Sequence, residues 1–478
     1  MSPGSGAALL LEAMHATTAT AAKDRSGDGH APAGGAPLYL LLLAGLVLAG
    51  CADVPIIYPD TNPMTPLPTV SQFNKDEALA MVEFCIDLDN QDDRANPNAR
   101  NIYKMRADRF SAWELVDDSR VRYADAIHLT GADRVNPSLN GFPPFGSAWT
   151  LWRNANAAKS GEQVYALAFR GTVLSFRPSV VEDALVTTAA SRHGLELPVG
   201  RFLNVTFATE PRAEVHEGFA YAVFGQLFDK DFGVLARMRD EVPNGSTLII
   251  TGHSQGAALA TLAHAFFFYA AQEGRFGIAE KKLNLRSYVF AQPKPGNTQF
   301  SQDFAGITGA GASSFTFNNT IDPVSMLPPT HGFLFGAFED VPRVKNPGWE
   351  FIRMINNAAN KISKALGSFS ERTTAGKIAV LQKKSDDSLY LANELPAEPD
   401  VRPAPSVSQN YASAGNVIPL VGLHNGSKYF GNPLDADDVF IQHHATTYRR
   451  LLEAMYGLPP TTDDTPGLVV PPVVSIPN

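Results

Sequence analysis

The chemistry in this chain is most legible at Gly252-His253-Ser254-Gln255-Gly256. An apolar, β-branched run from Thr247 to Thr251 leads into it, and an Ala/Leu-rich run from Ala257 leads out. A G-x-S-x-G knot between a strand and a helix presents its serine on a sharp, strained turn. The two glycines meet a steric need: the positions two before and two after the serine must lack side chains for strand and helix to approach. The serine also falls at a helix N-terminus, where backbone N–H groups favour developing negative charge. A glycine-lined turn without chemistry has the same five residues, so the rest of the chain must decide.

A serine alone is a poor nucleophile near neutral pH; it needs a base, and the base needs an orienting acid. In elbow-type hydrolases the chain order is serine, acid, histidine. That confines the search to residues beyond Ser254. Asp322, in "TFNNTIDPVSMLPP", follows a strand-like run and opens a Pro-rich turn, where a carboxylate can be held at a sheet edge. An aspartate that merely caps a turn reads the same way. Four histidines follow Ser254 outside the helix: His331, His424, His443 and His444. His331 shares the Asp322 loop, and His424 sits near a strand end. His443 and His444 precede the last helical segment, a fitting place for a base. Neighbouring residues at a helix start point roughly 100° apart, so only one of the pair can face Ser254.

The elements that must position these residues alternate. Val164–Phe169, Thr247–Thr251, Arg286–Ala291, Ser314–Asn319 and Asn416–Leu423 read as strands. Helical spacing marks "DEALAMVEFCIDL" near residue 76, Phe219–Val242, Ala257–Glu273 and "ATTYRRLLEAMYG" from Ala445. Strands separated by helices predict an α/β fold with a mostly parallel central sheet flanked by helices. Residues 340–415 break the rhythm and read as an insertion, part of a cap over the sheet. The main domain is expected over 76–458, followed by a Pro-rich tail, 459–478, without regular structure.

Composition narrows the classes. The 478 residues are 44% hydrophobic and 18% charged, an ordinary globular balance. A formal net charge of -9 and no basic cluster argue against nucleic acid as a partner. The two cysteines, Cys51 and Cys85, exclude a disulfide framework. Cys85 lies in an apolar helical pattern and reads as core. Cys51 ends the run "PLYLLLLAGLVLAGC", whose length suits a signal-peptide core rather than a membrane span.

Two resemblances extend this reading. Leu48-Ala49-Gly50-Cys51 is similar to a bacterial lipobox. That implies a signal peptide over 1–50 with an unusually long n-region, a lipid on Cys51, and a Pro-rich tether over 51–75. The resemblance implies a membrane-anchored bacterial lipoprotein at the outer membrane or cell surface. Separately, "VYALAFRGT", "VHEGFAYA", "TGHSQGAALATLA", "YVFAQPKPGNTQF" and "NNTIDPVSMLPP", in this order, resemble the motifs of the class 3 lipases, a branch of the α/β-hydrolases. That resemblance implies a lipid or ester substrate, no cofactor or metal, and no obligate protein partner. It implies Ser254 as nucleophile, Asp322 as acid, and His443, or alternatively His444, as base. It implies an oxyanion hole from the backbone N–H groups of Thr172 and Gln255. His216, His253 and His424 map to structural positions. The segment between Thr172 and Val215 is where the family carries its lid; "SVVEDALVTTAA" is the best candidate for a lid helix. The expected reaction is acylglycerol hydrolysis through an acyl-enzyme. The alternatives are a phospholipase A1, a short-chain carboxylesterase, or a retired hydrolase fold that binds lipid.

Overall fold

The computed structural model describes residues 72–94, 106–126, 146–173, 183, 188–197, 201–229, 233–328, 410–423 and 441–461. The leader, Cys51 and its tether, His331, His424, most of the 340–415 insertion and the tail beyond 461 lie outside the described residues.

A seven-stranded sheet organises the chain. Its strands are β1 (Trp113–Asp118), β2 (Trp149–Asn154), β3 (Val164–Phe169), β8 (Thr247–His253), β9 (Asn284–Phe290), β11 (Ser314–Asn319) and β13 (Asn416–Leu420), adjacent in that order. β3, β8, β9, β11 and β13 run parallel, while β1 and β2 add antiparallel strands at one edge. This is an α/β-hydrolase-type sheet. The central parallel strands are covered on both faces: in "TLIITGH" every residue after Thr247 is buried, and so is every residue of "SFTFNN".

The period of two along β8 divides the core. Leu248 and Ile250 face a cluster with helices α5 (Glu217–Phe228), α6 (Val234–Glu241) and α7 (Gln255–Gln272). Ile249 faces the opposite cluster with α1 (Lys75–Arg94) and α9 (Ala445–Met455). Labels α2 to α4 are given to short helices at Ala107–Phe110, Ser119–Ala126 and Ala155–Lys159, and α8 to Thr298–Ile307. Burying a Leu, Ile or Phe fully contributes about 1.5–3 kcal/mol, so both layers hold β8, and with it the elbow, firmly.

A second sheet is small, in the order β12 (Tyr411–Ala412), β10 (Gly296–Asn297), β7 (Glu214–His216) and β4 (Thr188–Ala190). β5 (Arg192–Leu197) and β6 (Arg201–Thr206) form a separate antiparallel hairpin.

Three readings change. The helical stretch Phe219–Val242 is two helices, because Asp229 and Gly233 both take extended backbone, with ψ of 136° and 141°; a Cβ on Gly233 would sit 2.0 Å from Asp229 O. The last residues of "SVVEDALVTTAA" are strand, since Thr188–Ala190 pairs with β7 along a ladder that a helix could not join; Asp183 within the same stretch is helical. The strand read to Leu423 ends at Leu420, where pairing with β11 stops at Asn319.

Candidate active site

Ser254 follows the last residue of β8 and precedes the first of α7. Its backbone takes φ +57° and ψ -131°, a conformation that a side chain makes costly by about 1–3 kcal/mol. The surroundings impose it. The Ser254 N–H donates to Phe290 O on β9 at 3.0 Å, and the Ser254 carbonyl accepts from Ala257 at 2.9 Å. The flanking glycines answer a close approach: a Cβ at Gly252 would lie 2.1 Å from Gly256 O, and one at Gly256 would lie 2.3 Å from Phe169 O.

His443 sits in the turn that leads into α9. Its Nε2 lies 2.9 Å from Ser254 Oγ, and its Nδ1 lies 2.9 Å from Asp322 Oδ2. Of the adjacent pair, it is therefore His443 that meets both partners. His444 is the N-cap residue of α9, and its carbonyl accepts from Thr447 and Tyr448. Because Asp322 can only accept at Nδ1, the ring keeps its proton there and leaves the Nε2 lone pair for the serine hydroxyl.

Asp322 is fully buried at the end of the turn after β11. The Val324 N–H donates to Oδ1 at 2.9 Å, and the Tyr448 hydroxyl donates to Oδ2 at 2.7 Å. Tyr448 reaches down from α9, and the Asn319 N–H donates to its oxygen at 3.0 Å. Burial, followed by the neighbouring Asp322 charge, pushes the Tyr448 phenol well above the ordinary range, so it stays a donor. Asp322 is thus fixed by its own turn and by the helix that follows His443.

Thr172 and Gln255 share one partner that sequence reasoning did not single out. The Thr172 hydroxyl donates to Asp183 Oδ2 at 2.6 Å, and Gln255 Nε2 donates to Asp183 Oδ1 at 3.0 Å. Burial raises the Asp183 carboxyl to about 7 against the lowering effect of those two hydrogen bonds. Its only sequence signal is a carboxylate within the mostly apolar "SVVEDALV" between Arg170-Gly171-Thr172 and the elbow. Gly171 lets this strand end press against the elbow: a Cβ there would meet His253 O at 2.9 Å and Ser254 Cβ at 3.4 Å.

The remaining histidines behave differently. His216 is fully buried, stacks on Phe219 with ring centroids 3.8 Å apart, and caps α5 through Nδ1. Burial pushes it down to about 3, so it remains neutral. His264 is likewise buried, with Nδ1 3.0 Å from Ser287 Oγ and no carboxylate among the bonds that hold it. Among the described residues no group of three His, Cys, Asp or Glu side chains is arranged to hold a metal ion.

Residues 166–332 match the model of the family "Lipase (class 3)". Phospholipase A1-II 7 of Oryza sativa subsp. indica is 29% identical over 216 residues, covering 40% of this chain and 49% of that protein. Phospholipase A1-II 5 of the same plant is 29% identical over 159 residues, covering 32% of each. The chain therefore spans between a third and a half of the length of these relatives. Among solved structures, M37 lipase aligns over 81% of this chain and 96% of its own, at 16% identity and a TM-score of 0.39. A fungal lipase–inhibitor complex aligns over 54% and 76%, at 17% identity and a TM-score of 0.33.

Proposed function

We propose that this protein is a serine hydrolase that cleaves carboxylic ester bonds of lipids through a Ser254–His443–Asp322 triad. The observation that carries the proposal is the chain of two 2.9 Å contacts from Ser254 Oγ through His443 to a buried Asp322. In this reading Ser254 Oγ attacks the ester carbonyl as His443 Nε2 takes its proton. Asp322 stabilises the imidazolium and holds the ring in register. The proton then passes to the departing alkoxide, which leaves as the alcohol. A water, deprotonated by the same nitrogen, attacks the acyl-enzyme and frees the fatty acid. The backbone N–H groups of Gln255 and Thr172 receive the charge that develops on the carbonyl oxygen. Such donors act chiefly in the transition state, and losing one costs about 10²–10³ in rate.

Ser254→Ala tests the reading directly. Hydrolysis of p-nitrophenyl butyrate is expected to fall by about 10⁴-fold or more with the fold retained. Unchanged hydrolysis refutes the triad.

The matched plant relatives favour a second reading of the substrate, phospholipase A1 activity. Fatty acid release from the sn-1 position of phosphatidylcholine, compared with release from tributyrin, separates it from acylglycerol hydrolysis. We further propose that Cys51 carries the lipid that tethers the enzyme to a bacterial outer membrane or cell surface. The support is the Leu48-Ala49-Gly50-Cys51 pattern after a short apolar run.

A further inference from the structure

His253 precedes the candidate nucleophile and was read from the sequence as packing only. Its placement points to more. It is the last residue of β8, and the residue is 5% exposed. Its Nε2 lies 2.6 Å from the backbone carbonyl oxygen of His443. A carbonyl can only accept, so Nε2 carries the ring's proton and donates it there. The ring lies flat enough against His443 to bring their centroids within 4.8 Å, with an interplanar angle of 36°, and it meets the Tyr448 ring edge-on at 5.7 Å. Nδ1 faces Asp89 Oδ2 at 3.7 Å, which is too long for a direct hydrogen bond. Burial keeps the ring well below the ordinary histidine range and hence neutral, so that approach is not an ion pair.

The consequence is geometric. Ser254 is carried by β8 and α7, whereas His443 is carried by a turn that follows a long excursion of the chain. Asp322 and Ser254 contact the two nitrogens of the His443 ring, but neither contact holds its main chain. The bond from His253 fixes that backbone to the residue adjoining Ser254. We propose that His253 is a positioning residue, whose Nε2–H holds the His443 main chain and thereby sets the distance between base and nucleophile. This rests on the triad reading above.

Two variants separate positioning from packing. His253→Phe keeps ring volume but removes the donor; His253→Gln returns an N–H near the Nε2 position. A displacement on the order of 1 Å at a catalytic group costs up to about 100-fold. For p-nitrophenyl butyrate, His253→Phe is expected to lower kcat by about 10- to 100-fold with KM within about twofold, and His253→Gln to recover most of that loss. Wild-type kcat in a folded His253→Phe protein overturns the proposal, as does a folded His253→Gln protein no better than His253→Phe. Should neither variant fold, the wild-type protein still decides. ¹⁵N-histidine NMR is expected to show His253 as the neutral Nε2–H tautomer from about pH 5 to 9. An Nδ1–H tautomer or an imidazolium in that range overturns it. Full activity of Ser254→Ala refutes the triad instead, so the two failures are distinguishable.

Discussion

At the scale of single residues, the site concentrates its unusual features within a few ångströms. Ser254 holds a positive φ of 57° that no local preference of serine supports, and it persists because strand, helix and the Phe290 carbonyl leave no alternative. Tyr448 belongs to the same machinery: its hydroxyl shares Asp322 Oδ2 with His443. Replacing it with phenylalanine removes one hydrogen bond to a buried carboxylate, worth about 1.5–3 kcal/mol. Tyr448→Phe is therefore expected to lower the urea midpoint and kcat together, and an unaltered midpoint and kcat would show that the hydroxyl does not hold the acid. Asp183 yields a pH prediction. Its carboxyl is raised from 3.8 to about 7, so the folded protein binds a proton there more tightly than the unfolded chain does. The resulting stabilisation is complete below about pH 4 and is lost as pH rises towards 7. Between pH 4 and 7, wild-type stability relative to Asp183→Asn should therefore decline, as read from urea titrations at each pH. A difference that stays constant over this range, or grows, contradicts the assignment.

At the scale of elements, the placement of His443 depends on how α9 is seated. A buried set of charges joins it to α1. Arg109 pairs with Glu83 at 3.1 Å and with Glu453 at 2.8 Å, while Arg449 approaches Glu83 at 3.3 Å. Both glutamates are fully buried. Burial raises the Glu83 carboxyl, opposed by the charges of Arg449 and Arg109. Such a set adds little net stability over apolar packing, but removing Arg109 leaves buried Glu453 with the more distant Arg106 at 3.8 Å, and breaking a buried pair costs about 3–5 kcal/mol. Arg109→Ala is thus expected to destabilise the protein by that order in urea unfolding; a change within about 0.5 kcal/mol would mean the set relaxes without it. This seating was not legible in the sequence. α1 shows its apolar spacing clearly, yet nothing in "ALAMVEFCIDL" indicates that Glu83 turns inward. The parallel strands were legible through short apolar runs such as "LII" in β8 and "YVF" in β9, which burial on both faces favours. β1 and β2 were not singled out, since "WELVDD" and "WTLWRN" mix charge with aromatics as an edge permits. The hairpin β5–β6 escaped for a related reason: "RHGLEL" and "RFLNVT" are short, and among the described residues they pair only with each other.

At the scale of the whole molecule, the proposed lipid on Cys51 and the proposed hydrolytic site belong to one chain. The motifs around Ser254, Asp322 and the His443–His444 pair could be located from sequence because strained turns and sheet edges restrict residue choice. Which histidine serves could not, because a helix start presents both until the backbone direction is known. Asp183 and the His253 contact were hidden for another reason: each depends on segments far apart in the chain, Asp183 on Thr172 and Gln255, His253 on His443. The membrane claim has its own test. Cys51→Ser is expected to abolish incorporation of metabolic palmitate label in the expressing bacterium, whereas retained label would place any lipid elsewhere.

The central claim is that His443 makes Ser254 a nucleophile. Fluorophosphonate labelling followed by peptide mass spectrometry tests it most directly, since the probe requires an activated serine. The wild-type protein is predicted to take one label, on the peptide containing Ser254, and His443→Ala to label at least about 100-fold more slowly while His444→Ala labels normally. Absence of label on folded wild-type protein, or rapid labelling that persists in His443→Ala, would contradict the account.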